Sequence, residues 1–182
     1  MQDPLAPMSD LRYPVGKFVA PAAVTADERA AFTLQIEELP ARLRAAVSGL
    51  TEPQLDTPYR PEGWRVRQVV HHLADSHLNA LVRFKLALTE DEPAIKTYAE
   101  ARWAELPDAR SAPVEWSLAL LESLHQRWVL LLRGLSEEQW SRAFRHPDHG
   151  RVGLERTLAL YAWHGRHHLA HITSLREREG WA

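Results

Sequence analysis

Histidine is the residue type in this chain best suited to chemistry. Four of the ten histidines fall within eight residues, at His164, His167, His168 and His171. The segment around them has apolar residues at helical spacing. Because His164 and His168 are four residues apart, they lie one turn apart on one face of a helix. That spacing is typical of a helix that offers two imidazole nitrogens to a divalent metal. It predicts a metal site whose third ligand comes from another part of the chain.

A second histidine cluster supplies that third ligand. His71 and His72 lie in another predicted helix, together with Asp75 and His77. At about 100° per residue, His72 falls beside the apolar arc of this helix and His71 lies about 100° away from it. The helical geometry therefore favours His72. On the last helix the same geometry places His164 and His168 closest to the core.

The remaining polar residues near these clusters are candidates for supporting roles. A metal-bound imidazole usually needs a partner for its other nitrogen, so Asp75, His167 and His171 are candidates for orienting the ligands or transferring protons. His171 is the next candidate ligand, and His167 is expected behind the ligands or exposed to solvent. Two tryptophans, Trp64 and Trp163, can either line the site or belong to the core.

The histidines outside the predicted ligand set are assigned to structural positions. His77 lies on the apolar arc of its helix, so it is expected in the core or at an interface. The other three are expected at the surface or in turns: His125, His146 and His149.

Composition excludes several classes of function. The 182 residues include no cysteine, which excludes disulfides, thiolate ligands and a cysteine nucleophile, so any thiol must arrive with a substrate. A formal charge of −2 gives no electrostatic reason for nucleic acid or an anionic membrane as partner. No apolar run approaches about 18 residues and no signal-peptide pattern is present, so a cytoplasmic protein is expected. Residues 1–10 are predicted to be a disordered leader to one domain at 11–182.

Apolar periodicity and helix caps predict an all-α four-helix bundle. An extended arm at 11–23 precedes the first long helix, which begins at the capping box Thr25–Glu28. A short hairpin or turn at 144–152 precedes the last helix, and the long connection at 90–112 can lie over a site. On the third long helix, the residues predicted to face the core are Trp116, Leu120, Leu124, Trp128, Leu131 and Leu132. The four long helices are predicted at 25–48, 64–88, 111–133 and 154–179.

Three stretches carry a resemblance to a known family. They are RPEGWRVRQVVHHLADSH from Arg60, HPDHG from His146 and YAWHGRHHLAHI from Tyr161. With them, the chain resembles the DinB/YfiT-like superfamily of metal-binding four-helix bundles, and within it the YfiT-type metal-dependent hydrolases. The likeness runs from about Leu11 to the end of the chain.

The resemblance implies a metal site and an activity. Its metal ligands correspond here to His72, which follows Trp64 by eight residues, and to His164 and His168. These are the three histidines that the helical geometry also favours. The resemblance further implies zinc or nickel, a homodimer, a small-molecule substrate, and either hydrolase or S-transferase chemistry with a low-molecular-weight thiol of the bacillithiol type.

Three histidine ligands leave an open coordination position, which suits a catalytic metal better than a structural one. Such a metal can lower the pKa of a bound water to about 7 or hold a substrate thiol as thiolate. The last helix has no glutamate in an HExxH arrangement, so a zinc protease is excluded. Two alternatives remain: a non-catalytic metal-binding stress-response bundle, and a dimeric bundle whose histidine-rich core holds no metal.

Overall fold

Four long helices and several short elements make up the structure, a computed structural model that describes residues 10–181. Short helices and one β-hairpin occupy the connections. In chain order the elements are α1 (Ala26–Val47), α2 (Glu52–Leu55), α3 (Val66–Thr89), α4 (Glu100–Trp103), α5 (Pro107–Ser111), α6 (Val114–Arg133), α7 (Glu137–Trp140), β1 (Ala143–His146), β2 (Gly150–Gly153) and α8 (Leu154–Glu179). The predicted all-α bundle with a small hairpin is confirmed.

Local sequence signals explain where α1 begins and where the hairpin turns. The Glu28 backbone N–H donates to Thr25 Oγ1 at 3.2 Å, and the Thr25 N–H donates to the Glu28 carboxylate at 2.8 Å, which completes the predicted capping box. β1 pairs antiparallel with β2, from Ala143 opposite Gly153 to His146 opposite Gly150. Gly150 has a φ of 66°, a left-handed conformation that glycine adopts without a steric cost.

The long helices do not pack in the order in which they occur. α1 packs on α6 and α8, and α3 packs on the same two helices, so that α1 and α3 occupy opposite corners of the bundle. The segment 48–65 therefore crosses the end of the bundle. This arrangement places the face of α3 that carries His72 against the face of α8 that carries His164.

The predicted N-terminal arm packs along α8. The Trp163 indole N–H donates to the Gly16 carbonyl at 3.2 Å, and the Phe18 ring lies 5.8 Å from the Trp163 ring. The predicted leader, residues 1–10, lies outside the described residues except for Asp10, which forms an ion pair with Arg12. Within 10–181, no helix combines the length and the apolar character needed to cross a membrane.

The predicted buried face of α6 is partly wrong. Trp116 and Leu120 are 68% and 45% exposed. α6 has leucine, valine or tryptophan around much of its circumference, so periodicity alone does not fix which stripe faces inward. Contact with α1 and α3 selects a neighbouring stripe, formed by Leu118, Leu121, Leu124, His125, Trp128, Val129 and Leu132.

A glycine allows α8 to lie close to α1. A Cβ added at Gly165 would stand 2.6 Å from Leu39 Cδ2, and Leu39 is buried in α1. Protein cores are packed too densely to absorb such an overlap without movement. Gly165 thus sets the separation of the two helices immediately beside His164.

We expect Gly165→Ala to lower the free energy of unfolding by about 1–2 kcal/mol. Overpacking costs about 1–3 kcal/mol, and the better helix propensity of alanine recovers up to about 1 kcal/mol. Urea unfolding followed by circular dichroism measures the change. In a Leu39→Ala background the same substitution should be neutral or stabilising, because the clashing methyl groups are gone. An equal loss in both backgrounds would contradict the close-approach role.

Candidate metal centre

Three imidazoles from two helices meet between α3 and α8. One nitrogen from each of His72, His164 and His168 lies within 4.8 Å of the corresponding nitrogens of the other two. His72 Nε2 and His164 Nε2 are 3.2 Å apart. The two histidines of α8 are brought together by their i, i+4 spacing, and their ring centroids are 4.5 Å apart. The structure therefore brings together the three predicted ligands.

His71, the neighbour of His72, faces a different part of the bundle. The Ser117 hydroxyl donates to His71 Nδ1 at 2.7 Å, and His71 Nε2–H donates to the Ala112 carbonyl at 3.2 Å. Both nitrogens of this buried ring are thus hydrogen-bonded at the contact with α6. Successive residues of a helix point about 100° apart, which is why one histidine faces α6 and the other faces α8.

A cavity of about 470 Å³ opens beside the three histidines. Trp64 and Trp163 both line it, which resolves the two alternatives for these residues. The Trp64 ring lies 4.6 Å from the His72 ring and 6.2 Å from the His168 ring. The wall comprises Arg12, Tyr13, Tyr59, Arg60, Glu62, Gly63, Trp64, His72, Glu100, Trp163, His164, His167, His168 and His171.

Burial keeps the imidazoles of this site neutral. Desolvation, with a smaller contribution from His167, lowers the pKa of His72 from 6.5 to about 4. Burial is also the main cause that lowers the pKa of His164 and of His168 well below 6.5, and neighbouring imidazoles add to it. A neutral imidazole has one nitrogen with a free lone pair, which is the state that binds a metal.

His167 and His171 also belong to the cavity wall. His167 is 7% exposed and stacks on Trp163 at 4.5 Å, so the alternative of a solvent-exposed position is wrong. His171 stacks on Tyr59 at 3.9 Å, and its Nε2–H donates to the Arg12 carbonyl at 3.3 Å. These two residues and His168 form a second group of nitrogens within 4.8 Å.

Asp75, the third candidate for a supporting role, does not line the cavity. Its side chain is half-buried, and burial, together with the charge of Asp108, raises the pKa of its carboxyl to about 6. The structure thus brings His167 and His171 to the ligands and leaves Asp75 outside the cavity wall.

Two further histidines lie behind His164. His77 is fully buried in the core, as predicted. His125 is 1% exposed, so its predicted surface position is wrong. His125 Nδ1 lies 2.5 Å from the Ile36 carbonyl oxygen, and His77 Nδ1 lies 2.9 Å from His125 Nε2. A sequence signal for His125 exists, since it continues the apolar stripe that Leu121, Trp128 and Leu132 form at spacings of three and four.

The last two histidines occupy the predicted turn. His146 ends β1, where it is partly buried, and His149 is exposed between the two strands. Their rings stack at 4.5 Å, and neither belongs to the groups of nitrogens found between α3 and α8.

We expect the metal-free protein to lose stability as the pH falls from about 6.5 to about 4. Burial lowers the pKa of His72, His125, His167 and His171 to about 4, whereas unfolded imidazoles titrate near 6.5. Within this window the unfolded chain binds more protons than the folded chain, so acid favours unfolding. Urea unfolding at pH 7.5, 6.5, 5.5 and 4.5 measures the slope.

A His149→Ala variant provides the control for this prediction, because it removes one exposed imidazole and leaves the four buried ones in place, so most of the slope should remain. Equal stability of the wild type at pH 6.5 and 5 would contradict the prediction.

Known proteins resemble this chain in sequence and in architecture. Residues 35–172 match the model of the DinB superfamily. The chain is 55% identical over 174 residues to proteins of Bacillus cereus strain AH820 and Bacillus anthracis strain CDC 684, in each case over 96% of this chain and all of the relative. Both relatives bear the name "Putative metal-dependent hydrolase".

A solved structure agrees with the fold. YfiT from Bacillus subtilis superimposes with a TM-score of 0.92 at 50% identity, over 94% of this chain and 99% of that chain. It is described as "a probable metal-dependent hydrolase with an unusual four-helix bundle topology". The family match covers well over half of the chain, and the relatives match nearly all of it. The chain belongs to the DinB superfamily.

Proposed function

We propose that His72, His164 and His168 hold a catalytic divalent metal ion, zinc or nickel. The observation that carries this proposal is the 3.2 Å separation of His72 Nε2 and His164 Nε2 across two helices. Zinc–nitrogen distances of about 2.0–2.1 Å with tetrahedral angles place two ligand nitrogens about 3.3–3.4 Å apart. The two facing nitrogens are therefore spaced as ligands of one ion.

The chemistry of the donor set also fits a metal. The three imidazoles are neutral and largely withdrawn from water, so their lone pairs lack a strong competing partner. We favour this set over the group of His167, His168 and His171, because its members come from two helices and hold their geometry through the packing of α3 on α8. His171 is moreover engaged with the Arg12 carbonyl.

When bound, the cation would supply Lewis-acid activation of a water or a thiol. The surrounding residues would shield the site from water and orient the bound groups. Trp64 covers the rings of His72 and His168 and excludes water from that side. His167 has a buried Nδ1 without a hydrogen-bond partner among the described residues, and so does His171. These nitrogens can accept a hydrogen bond at the cavity wall, and because burial lowers the pKa of both rings to about 4, they would orient a bound group as neutral imidazoles.

The same site supports two reactions, hydrolysis and S-transfer from a low-molecular-weight thiol. The names of the relatives favour hydrolysis. The make-up of the cavity favours a thiol, because its carboxylates, Glu62 and Glu100, are exposed, and its buried polar groups are imidazoles. A hydrolase gains more from a buried carboxylate base than does an enzyme whose nucleophile binds the metal as thiolate. The thiol would be a cosubstrate, since the chain has no cysteine.

We expect His168→Ala and His72→Ala to lose most of the bound metal. Purified wild-type protein should contain about one zinc or nickel per chain by elemental analysis, and chelation followed by zinc addition should restore it. His149→Ala removes an exposed imidazole and should retain the full metal content. Full occupancy in folded His168→Ala would show that this residue is not a ligand.

We expect the zinc- or nickel-loaded protein to turn over one of two substrate panels, and the chelated protein and His168→Ala to turn over neither. One panel contains activated esters and amides, and the other combines a low-molecular-weight thiol with alkyl and aryl halides. Turnover that requires the thiol identifies S-transfer, and turnover without it identifies hydrolysis.

Inactivity of every metal form on both panels, with a melting temperature that chelation lowers, would instead favour a non-catalytic metal-binding bundle. The homodimer that the resemblance implies stays a prediction.

A further inference from the structure

A line of hydrogen-bonded imidazoles runs from the proposed metal centre into the core. His164 Nδ1 lies 3.2 Å from His77 Nε2, His77 Nδ1 lies 2.9 Å from His125 Nε2, and His125 Nδ1 lies 2.5 Å from the Ile36 carbonyl oxygen. We propose that this carbonyl, through His125 and His77, fixes the tautomer of His164 so that its Nε2 presents a lone pair to the metal. This inference rests on the proposed function and makes His77 and His125 positioning residues.

The core end of this line is a backbone carbonyl oxygen that has no helical hydrogen-bond partner. In a helix the carbonyl of Ile36 would accept from the N–H of residue 40, but residue 40 is proline and has no N–H. The His125 ring occupies this position instead. A carbonyl oxygen can only accept, so the proton of neutral His125 must be on Nδ1. His125 Nε2 is then an acceptor.

Each following proton position is dictated by the one before it. Because His125 Nε2 accepts, His77 must carry its proton on Nδ1, which leaves His77 Nε2 as an acceptor. His164 must then donate from Nδ1, and its Nε2 has a free lone pair. That lone pair points to the place where His72 Nε2 lies 3.2 Å away.

The surroundings of His77 and His125 stabilise this order of protons. His77 and His125 are 0% and 1% exposed, so water does not compete for their nitrogens. The rings that pack edge-on against His77 belong to Trp128 and Tyr161. Burial this deep disfavours the charged form of an imidazole, so each of the two rings is neutral and carries one proton.

Fixing the tautomer matters because the alternative one would block the metal. With its proton on Nε2, His164 would have no lone pair there, and its unprotonated Nδ1 would face the lone pair of His77 Nε2. Partners on the outer nitrogen of a ligating histidine commonly change metal affinity by about 10–100-fold. Here the outer partner is another imidazole, whose own orientation depends on a backbone carbonyl of α1.

Nuclear magnetic resonance tests the order of protons directly. Long-range ¹H–¹⁵N correlation spectra of the metal-free and zinc-loaded full-length protein report the tautomer of each imidazole. We expect His125, His77 and His164 to be Nδ1–H tautomers in the metal-free protein and to remain so with zinc. An Nε2–H tautomer at any of the three positions in the metal-free protein would overturn the proposal.

Two substitutions at His77 separate positioning from packing. His77→Phe removes the acceptor for His164 Nδ1–H, and we expect zinc affinity, measured by competition with a chromophoric chelator, to fall about 10–100-fold. A glutamine amide can donate to His125 and accept from His164, so it keeps the same direction of hydrogen bonds. We therefore expect His77→Gln to bind zinc within about threefold of the wild type.

His71→Phe is the matched control, because His71 is also buried on α3 but bonds to Ser117 and Ala112. Its zinc affinity should stay within about twofold of the wild type. Folded His77→Phe with wild-type affinity would overturn the proposal. If His77→Phe does not fold, the tautomers of the wild type decide. A wild type that takes up no zinc would defeat the proposed function, while its metal-free spectra would still test the proton order.

Discussion

Burial of neutral imidazoles is the constraint on which the site depends. Seven histidines of the described chain are buried. His164, which is partly buried, lies between several of them and has both ring nitrogens in contact with other imidazoles. A polar nitrogen taken out of water without a partner costs free energy, and a charged imidazole costs more. In this bundle the rings stay neutral and form hydrogen bonds with each other and with carbonyl oxygens, which reduces the free-energy cost of burial. The remaining lone pairs lie close enough together that they could bind a cation.

α1 supports this arrangement although none of its residues lines the cavity. Pro40 leaves the Ile36 carbonyl without its usual helical partner, and His125 reaches that oxygen from α6. Gly165 lets α1 lie against α8 one residue beyond His164. A proline and a glycine inside helices ordinarily weaken them. Here a contact between helices compensates in both cases. The hydrogen bond from His125 replaces the one that Pro40 removes, and close packing against Leu39 uses the space that Gly165 leaves.

The cavity combines this polar interior with aromatic walls. Trp64 comes from the segment that crosses the bundle end, Trp163 comes from α8, and the N-terminal arm adds Tyr13. Such a mixture of apolar rings and a few directed nitrogens is typical of small-molecule sites. Membership of the DinB superfamily gives the fold, and the identity of the substrate depends on this wall, since one fold can host different reactions.

The sequence alone determined which residues are neighbours within a helix. A capping box fixed the start of α1, and apolar spacing gave the long helices to within two or three residues, the largest difference being α6, which begins at Val114 and not at Ser111. Spacing of i, i+4 together with the apolar arc selected His164, His168 and His72 in preference to His71. These features depend on interactions within about one helical turn. Only the tertiary structure decided which stripe of α6 is buried, that His77 meets His125 from 48 residues away, and that His167 and His171, but not Asp75, reach the cavity. The physical reason is that helical periodicity fixes directions around one axis, whereas the rotation of each helix against its neighbours is set by packing among all four.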